Sequence, residues 1–124
     1  LEEELKSSKE SLSILNNQKE ELVKIKSQIE SEISQNEESI KKSEEKLFEI
    51  KTHKEYQALQ KEITETKRMN SDHEEKLLEE MEKIEKVEKE ISEKTEKLAT
   101  MESDYQEKIS EYTLELEEVK TAYD

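Results

Sequence analysis

The stretch Ile50-Lys51-Thr52-His53-Lys54-Glu55-Tyr56 decides how this chain is organised. Thr52 followed three residues later by Glu55 is a capping-box pattern, in which the threonine side chain accepts from the Glu55 backbone N–H and the glutamate carboxylate returns to the Thr52 N–H. Such a pattern starts a helix. Upstream, Leu47 and Ile50 already belong to a periodic apolar series, so a helix starting at Thr52 implies that an earlier one has just stopped. The expectation is an all-α fold, a long antiparallel two-helix coiled-coil hairpin with a first arm over 1–50, a turn over 51–54 and a second arm over 55–124.

The apolar spacing on the two sides supports this doubling-over. Backwards from the corner the seam reads Ile50, Leu47, Ser43, Ile40, Asn36, Ile33, Ile29, Ile25 and Leu22; forwards it reads Tyr56, Leu59, Ile63, Thr66, Asn70, His73, Leu77, Met81 and Ile84. The steps of three and four are the same in both directions. Their alternation is the heptad seam of a left-handed coiled coil, and the doubled step of four that both arms share, at Ile25–Ile29 and Leu77–Met81, predicts a stutter that locally unwinds it. Residues equidistant from position 53 then face each other: Leu47 with Leu59, Ile29 with Leu77, Leu22 with Ile84. Asn36 falls opposite Asn70, a pair that costs stability and fixes register, because sliding the arms would leave each amide among aliphatic side chains. Ser43 with Ile63, Ile40 with Thr66 and Ile33 with His73 are half-polar layers. Further out, Leu15 meets Ile91, Leu5 meets Met101 and Leu1 meets Tyr105, while Lys19 beside Val87 and Lys94 beside Leu12 lay a methylene stem along the seam.

Composition permits little else. Of 124 residues, 45% are charged, 29% hydrophobic and 4% aromatic, too little apolar material for a layered globular core. Glycine and proline are absent, so the common helix breakers are missing. Disorder is the other state open to so charged a chain, but disorder does not need apolar residues at regular intervals. A formal charge of −14 repels phosphate backbones and argues against direct nucleic-acid binding by this segment. There is no cysteine for a disulfide or thiolate metal site, and no apolar run near the ~18 residues of a membrane span.

Residues that might carry chemistry are few. His53 and His73 lie twenty apart, whereas two histidines on one helix bind metal at spacings of three or four, so a turn residue and a polar seam layer are the simpler readings. Glu37/Glu38, Glu44/Glu45 and Glu79/Glu80 are carboxylate pairs, but general acid–base chemistry needs a desolvated pocket to separate their pKa values. No catalytic, cofactor or metal residue is expected in this stretch. Met69, Met81 and Met101 read as seam or flank packing. The corner is the candidate recognition surface, with Lys51, His53, Lys54 and Tyr56 forming a partner-binding tip; Tyr56 can equally plug the end of the seam with its hydroxyl in water.

The second arm outruns the first, at roughly 108 Å against 75 Å for ~1.5 Å per residue. Beyond Tyr105, Ile109, Tyr112, Leu116, Val119 and Tyr123 keep the heptad frame. A stripe of that kind should be covered, by a further part of the first arm if the chain is a fragment of a longer protein, or by self-association through Ile109, Tyr112, Leu116 and Val119.

The run Lys51-Thr52-His53-Lys54-Glu55-Tyr56-Gln57-Ala58-Leu59-Gln60-Lys61-Glu62-Ile63, with Leu47 before it and Leu77-Leu78-Glu79-Glu80-Met81-Glu82-Lys83-Ile84 after it, resembles a bacterial family. Its members join a long N-terminal coiled-coil hairpin to a small C-terminal zinc ribbon with four cysteine ligands. The resemblance spans about Leu47 to Ile84; the family usually has Asn where His53 stands and often Leu at Gln60. It implies a cytoplasmic adaptor or chaperone-like protein, in some members linked to an alternative sigma factor, flagellar gene regulation or type III secretion, with zinc and nucleic acid held by the ribbon of the parent protein. No zinc ligand maps onto these residues. The expectation is therefore a non-enzymatic hairpin for protein partners, set against a structural rod or parallel dimeric coiled coil of ~186 Å with helix unbroken through Thr52.

Overall fold

The computed structural model describes residues 2–123, among which there are two helices and no strand: α1 over Glu2–Leu47 and α2 over His53–Tyr123. Their ends follow helix chemistry. Glu2, Glu3 and Glu4 occupy the first turn of α1 and Lys46 its last, while Glu55 and Lys120 hold the same places in α2, each charge opposing the helix dipole. The helix break at 48–52 rules out the single uninterrupted rod.

The Thr52 cap forms as its sequence predicts on one side. Glu55 N–H donates to Thr52 Oγ1 at 3.3 Å, and Tyr56 N–H closes the first helical turn onto the Thr52 carbonyl at 3.1 Å. The reciprocal bond from the Glu55 carboxylate to the Thr52 N–H is not made among the described residues. The connection lies at 48–52, a little before the 51–54 expected from the heptad pattern. Phe48 N–H bonds the Glu45 carbonyl at 3.3 Å and Glu49 N–H the Lys46 carbonyl at 3.0 Å, so α1 tightens into an i→i−3 turn before Ile50 is reached.

Residues fall into two compact units, Glu20–Lys86 and Leu1–Lys19 with Val87–Asp124. Within the first unit the helices run antiparallel, because Asn36 meets Asn70, Glu32 meets His73, and Glu44 meets Lys67. Asn36 Nδ2 donates to Asn70 Oδ1 at 2.9 Å and Asn70 Nδ2 to the Ile33 carbonyl at 3.2 Å, which satisfies the buried Asn70 amide on both sides. The half-polar layers are real: Ile63 is buried, Ser43, Ile40, Thr66, Ile33 and His73 are partly covered, and the Thr66 hydroxyl turns back to the Glu62 carbonyl at 2.9 Å.

The expected stutter is absent. Apart from Glu32, which is partly covered where it meets His73, the residues shielded from solvent in this unit are Leu22, Lys26, Ile29, Ile33, Asn36, Ile40, Ser43 and Leu47 of α1 with Ile50 of the turn, and Leu59, Ile63, Thr66, Asn70, His73, Leu77, Glu80 and Ile84 of α2. Both series alternate strictly between three and four. Lys26 and Glu80 take the seam places assigned to Ile25 and Met81, each of which is 44% exposed. An uninterrupted heptad keeps the supercoil regular, and that outweighs the burial two further apolar side chains would gain.

The other unit repeats the pattern with Leu5, Ser8, Leu12, Leu15 and Lys19 against Val87, Ile91, Lys94, Leu98, Met101 and Tyr105. Lys19 Nζ reaches out of the seam to Glu88 at 3.5 Å, and Lys94 Nζ donates to Ser11 Oγ, so both stems snorkel as expected. Tyr105 donates to Glu2 Oε1 at 2.6 Å; its expected partner Leu1 lies outside the described residues. Residues 106–122 are exposed throughout. No helix is long and apolar enough to cross a membrane.

Candidate partner-binding site at the turn

Two backbone devices hold the corner: the i→i−3 bonds that end α1 and the Thr52 cap that starts α2. Between them they fix 48–56 without glycine or proline. On this frame Lys51, His53 and Lys54 are exposed, and among the described residues none makes an ion pair. Tyr56 keeps 39% of its surface, and its hydroxyl accepts from Gln60 Nε2 at 3.2 Å, one helical turn on. Tyr56 is thus exposed, and the first shielded seam residue of α2 is Leu59. Ile50 is half-buried, and an open groove beside it is lined by Lys46, Glu49, Glu55, Ala58, Leu59 and Glu62.

Phe48 is the tip residue that heptad reasoning passes over. It is the one phenylalanine of the chain, lies just past the end of α1, and is 91% exposed, whereas among the described residues no other exposed large apolar side chain exceeds 64%. The sequence signal was there: Phe48 falls between Leu47 and Ile50 and outside the seam. Around it the charge departs from that of the whole chain. Residues 46–54 hold three lysines and one glutamate in a protein of net charge −14.

The two histidines are not brought together. His53 begins α2 at the turn, while His73 lies in the seam with Nε2 3.7 Å from Glu32 Oε2. The carboxylate runs lie mostly on solvated faces, Glu65 for example chelated by Arg68 at 2.6 Å, whose guanidinium holds that carboxyl below its usual range by hydrogen bond and charge. Glu80 is the exception, because its Oε2 is buried with no partner while Oε1 takes Lys83 Nζ at 3.2 Å. Among the described residues no group of three or more His, Asp or Glu side chains is placed to hold a metal ion. Compared with known proteins, the chain matches no family model, no curated protein and no solved structure.

Proposed function

We propose that this chain is a non-enzymatic coiled-coil adaptor, or chaperone-like protein, that offers the turn of its hairpin to protein partners. What carries the reading is the division of labour between arms and turn. Up to Tyr105 the heptad positions of the arms are used on each other, while at the turn Lys51, His53, Lys54 and Tyr56 stand on an ordered backbone with side chains available to another molecule. The resemblance around Leu47 to Ile84 supplies the partner class, an alternative sigma factor or components of flagellar assembly or secretion in the cytoplasm. In that setting a zinc ribbon of the parent protein would hold the zinc and contact nucleic acid.

The test is the combined variant Lys51→Ala, His53→Ala, Lys54→Ala, compared with wild type in binding to a purified sigma factor of the alternative class and to flagellar export components. Loss of binding with unchanged helix content and melting temperature supports the turn as the contact; unaltered binding removes it.

A second surface rests on its own observation. Ile109 is 43% exposed, Tyr112 64%, Leu116 54% and Val119 54%, although they continue the heptad frame. Self-association through this face is expected to make sedimentation concentration-dependent, and Tyr112→Glu with Leu116→Glu should abolish the dependence. A wild-type monomer at every concentration removes this contact.

A further inference from the structure

We infer that residues 106–122 pair with the same residues of a second copy of this chain, antiparallel and in register about Leu114, so that Tyr112 packs on Leu116 of the second copy and Ile109 on its Val119. The inference rests on the self-association reading and gives it a direction and a register. Its first ground is a change of frame. The hairpin seam runs through Leu98, Met101 and Tyr105 in steps of three and four, but the exposed apolar series beyond it opens with a second step of four, to Ile109, and goes on through Tyr112, Leu116 and Val119. A strict heptad would put Lys108 and Glu115 in the seam, as it puts Glu80 in the seam of the hairpin. Past Tyr105 no part of α1 lies along α2 among the described residues to hold that frame, and a new helix pair sets its own.

In the shifted frame Lys108 and Glu115 flank the seam, each just before an apolar residue. Antiparallel helices bring flanking residues of the same side together: inside the hairpin Glu44 meets Lys67 and Lys9 meets Glu102, all four just after a seam residue. By the same geometry Lys108 meets Glu115 of the second copy, twice across the axis. The segment is acidic as a whole, but Glu107, Glu111, Glu117 and Glu118 fall on the outer positions of this frame, away from the seam. Direction follows from α1, which lies along α2 as far as Tyr105, where the phenol donates to Glu2 Oε1 at 2.6 Å. A parallel copy would carry its own α2 back from Tyr105 into the space of α1. An antiparallel copy enters the exposed run from its far end, and each copy covers what the other's α1 leaves bare. Parallel pairing would also set Tyr112 against Tyr112 and Glu115 against Lys120, which separates the two arrangements by experiment.

The experiment follows the full chain, which has no cysteine of its own, by sedimentation and by disulfide trapping. Wild type should dimerise as its concentration rises. Tyr112→Cys mixed with Leu116→Cys should form a linked pair faster than either variant links to itself. With helix content unchanged, Lys108→Glu and Glu115→Lys should each weaken the dimer about threefold or more, and the two together in one chain should restore it. Lys120→Glu should act less than either, and Leu114→Glu, on the outer face, should leave the dimer in place. Tyr112→Cys linking to itself as fast as to Leu116→Cys, or a dimer that answers to Lys120 and not to Lys108, would overturn the antiparallel register and leave self-association standing. A dimer lost in Leu114→Glu would overturn it too, by placing the contact on another face. Monomer at every concentration overturns both readings and leaves the face to a different protein or to a further part of the first arm.

Discussion

Glu80 stands in the seam layer of Lys26, yet the two are not paired. Lys26 Nζ lies 3.7 Å from Glu30 Oε1 on its own helix, Lys83 Nζ takes Glu80 Oε1 at 3.2 Å, and Glu80 Oε2 is left buried without a hydrogen bond. A carboxylate oxygen in that position costs free energy, since it has lost water and gained nothing. Glu80→Leu removes the cost and places an aliphatic side chain between Leu77 and Ile84. Urea unfolding followed by circular dichroism should show stabilisation of about 1–3 kcal/mol, in line with buried charges replaced by apolar residues of similar size. Destabilisation would mean that the Lys26 stem and Glu80 contribute attraction that the static geometry does not display.

The Asn36–Asn70 bond predicts a non-additive pair. Asn70→Leu alone strands the Asn36 amide against an aliphatic neighbour and is expected to cost about 1–3 kcal/mol. With Asn36→Leu added, the stranded amide disappears and stability should return to wild type or exceed it, so the double-mutant cycle gives a large coupling energy. What the double variant loses is register. Cysteines placed by Leu22→Cys and Ile84→Cys should cross-link in the wild-type background, and in the double variant cysteine pairs displaced by a heptad should begin to cross-link as well.

That asparagine pair was legible because each residue interrupts an apolar series at the same distance from position 53, and a polar residue in a seam is informative in a way that another leucine is not. The frame between Asn36 and Leu22 was harder to read. Ile25 and Met81 are apolar and one step from the seam, so a search for apolar residues selects them and generates a stutter in both arms at once. Their symmetry about the turn follows from one layer, in which both arms carry a charged seam residue, Lys26 and Glu80, with an apolar neighbour. Regular supercoiling over many layers decides such a contest, and it is a property of two helices together that neither arm states alone. At the turn the cap was readable, as was the place of Phe48 outside the seam; how far Phe48 is exposed was not, because exposure is the consequence of where α1 ends.

Thr52 caps α2 through a single side-chain bond, so Thr52→Ala should cost about 0.5–2 kcal/mol. Thr52→Ser keeps the acceptor oxygen and should stay close to wild type. The effect is local before it is global. Amide hydrogen exchange should accelerate first at Glu55, whose N–H loses its acceptor, and then at Tyr56, with amides near Asn70 responding only as far as total stability falls. Uniform acceleration along α2, or none at Glu55, would show that the helix start does not depend on the threonine oxygen.

The contact from Tyr105 to Glu2 makes one end of the pairing sensitive to alkali. The phenol donates to the Glu2 carboxylate at 2.6 Å, and that hydrogen bond, followed by desolvation and the carboxylate charge, raises the Tyr105 pKa above its ordinary value. A tyrosine raised in this way is held neutral by the fold. The stabilisation is therefore complete below the unfolded value of about 10 and is lost as pH climbs through the higher folded value. Absorbance near the tyrosinate band should show one component titrating later than the others. Tyr105→Phe should delete that late component, and Glu2→Gln should move it back among the rest while leaving the other tyrosines alone. If the late component survives Glu2→Gln, its cause lies in a residue other than Glu2, and the hydrogen bond between the two helices does not form in solution.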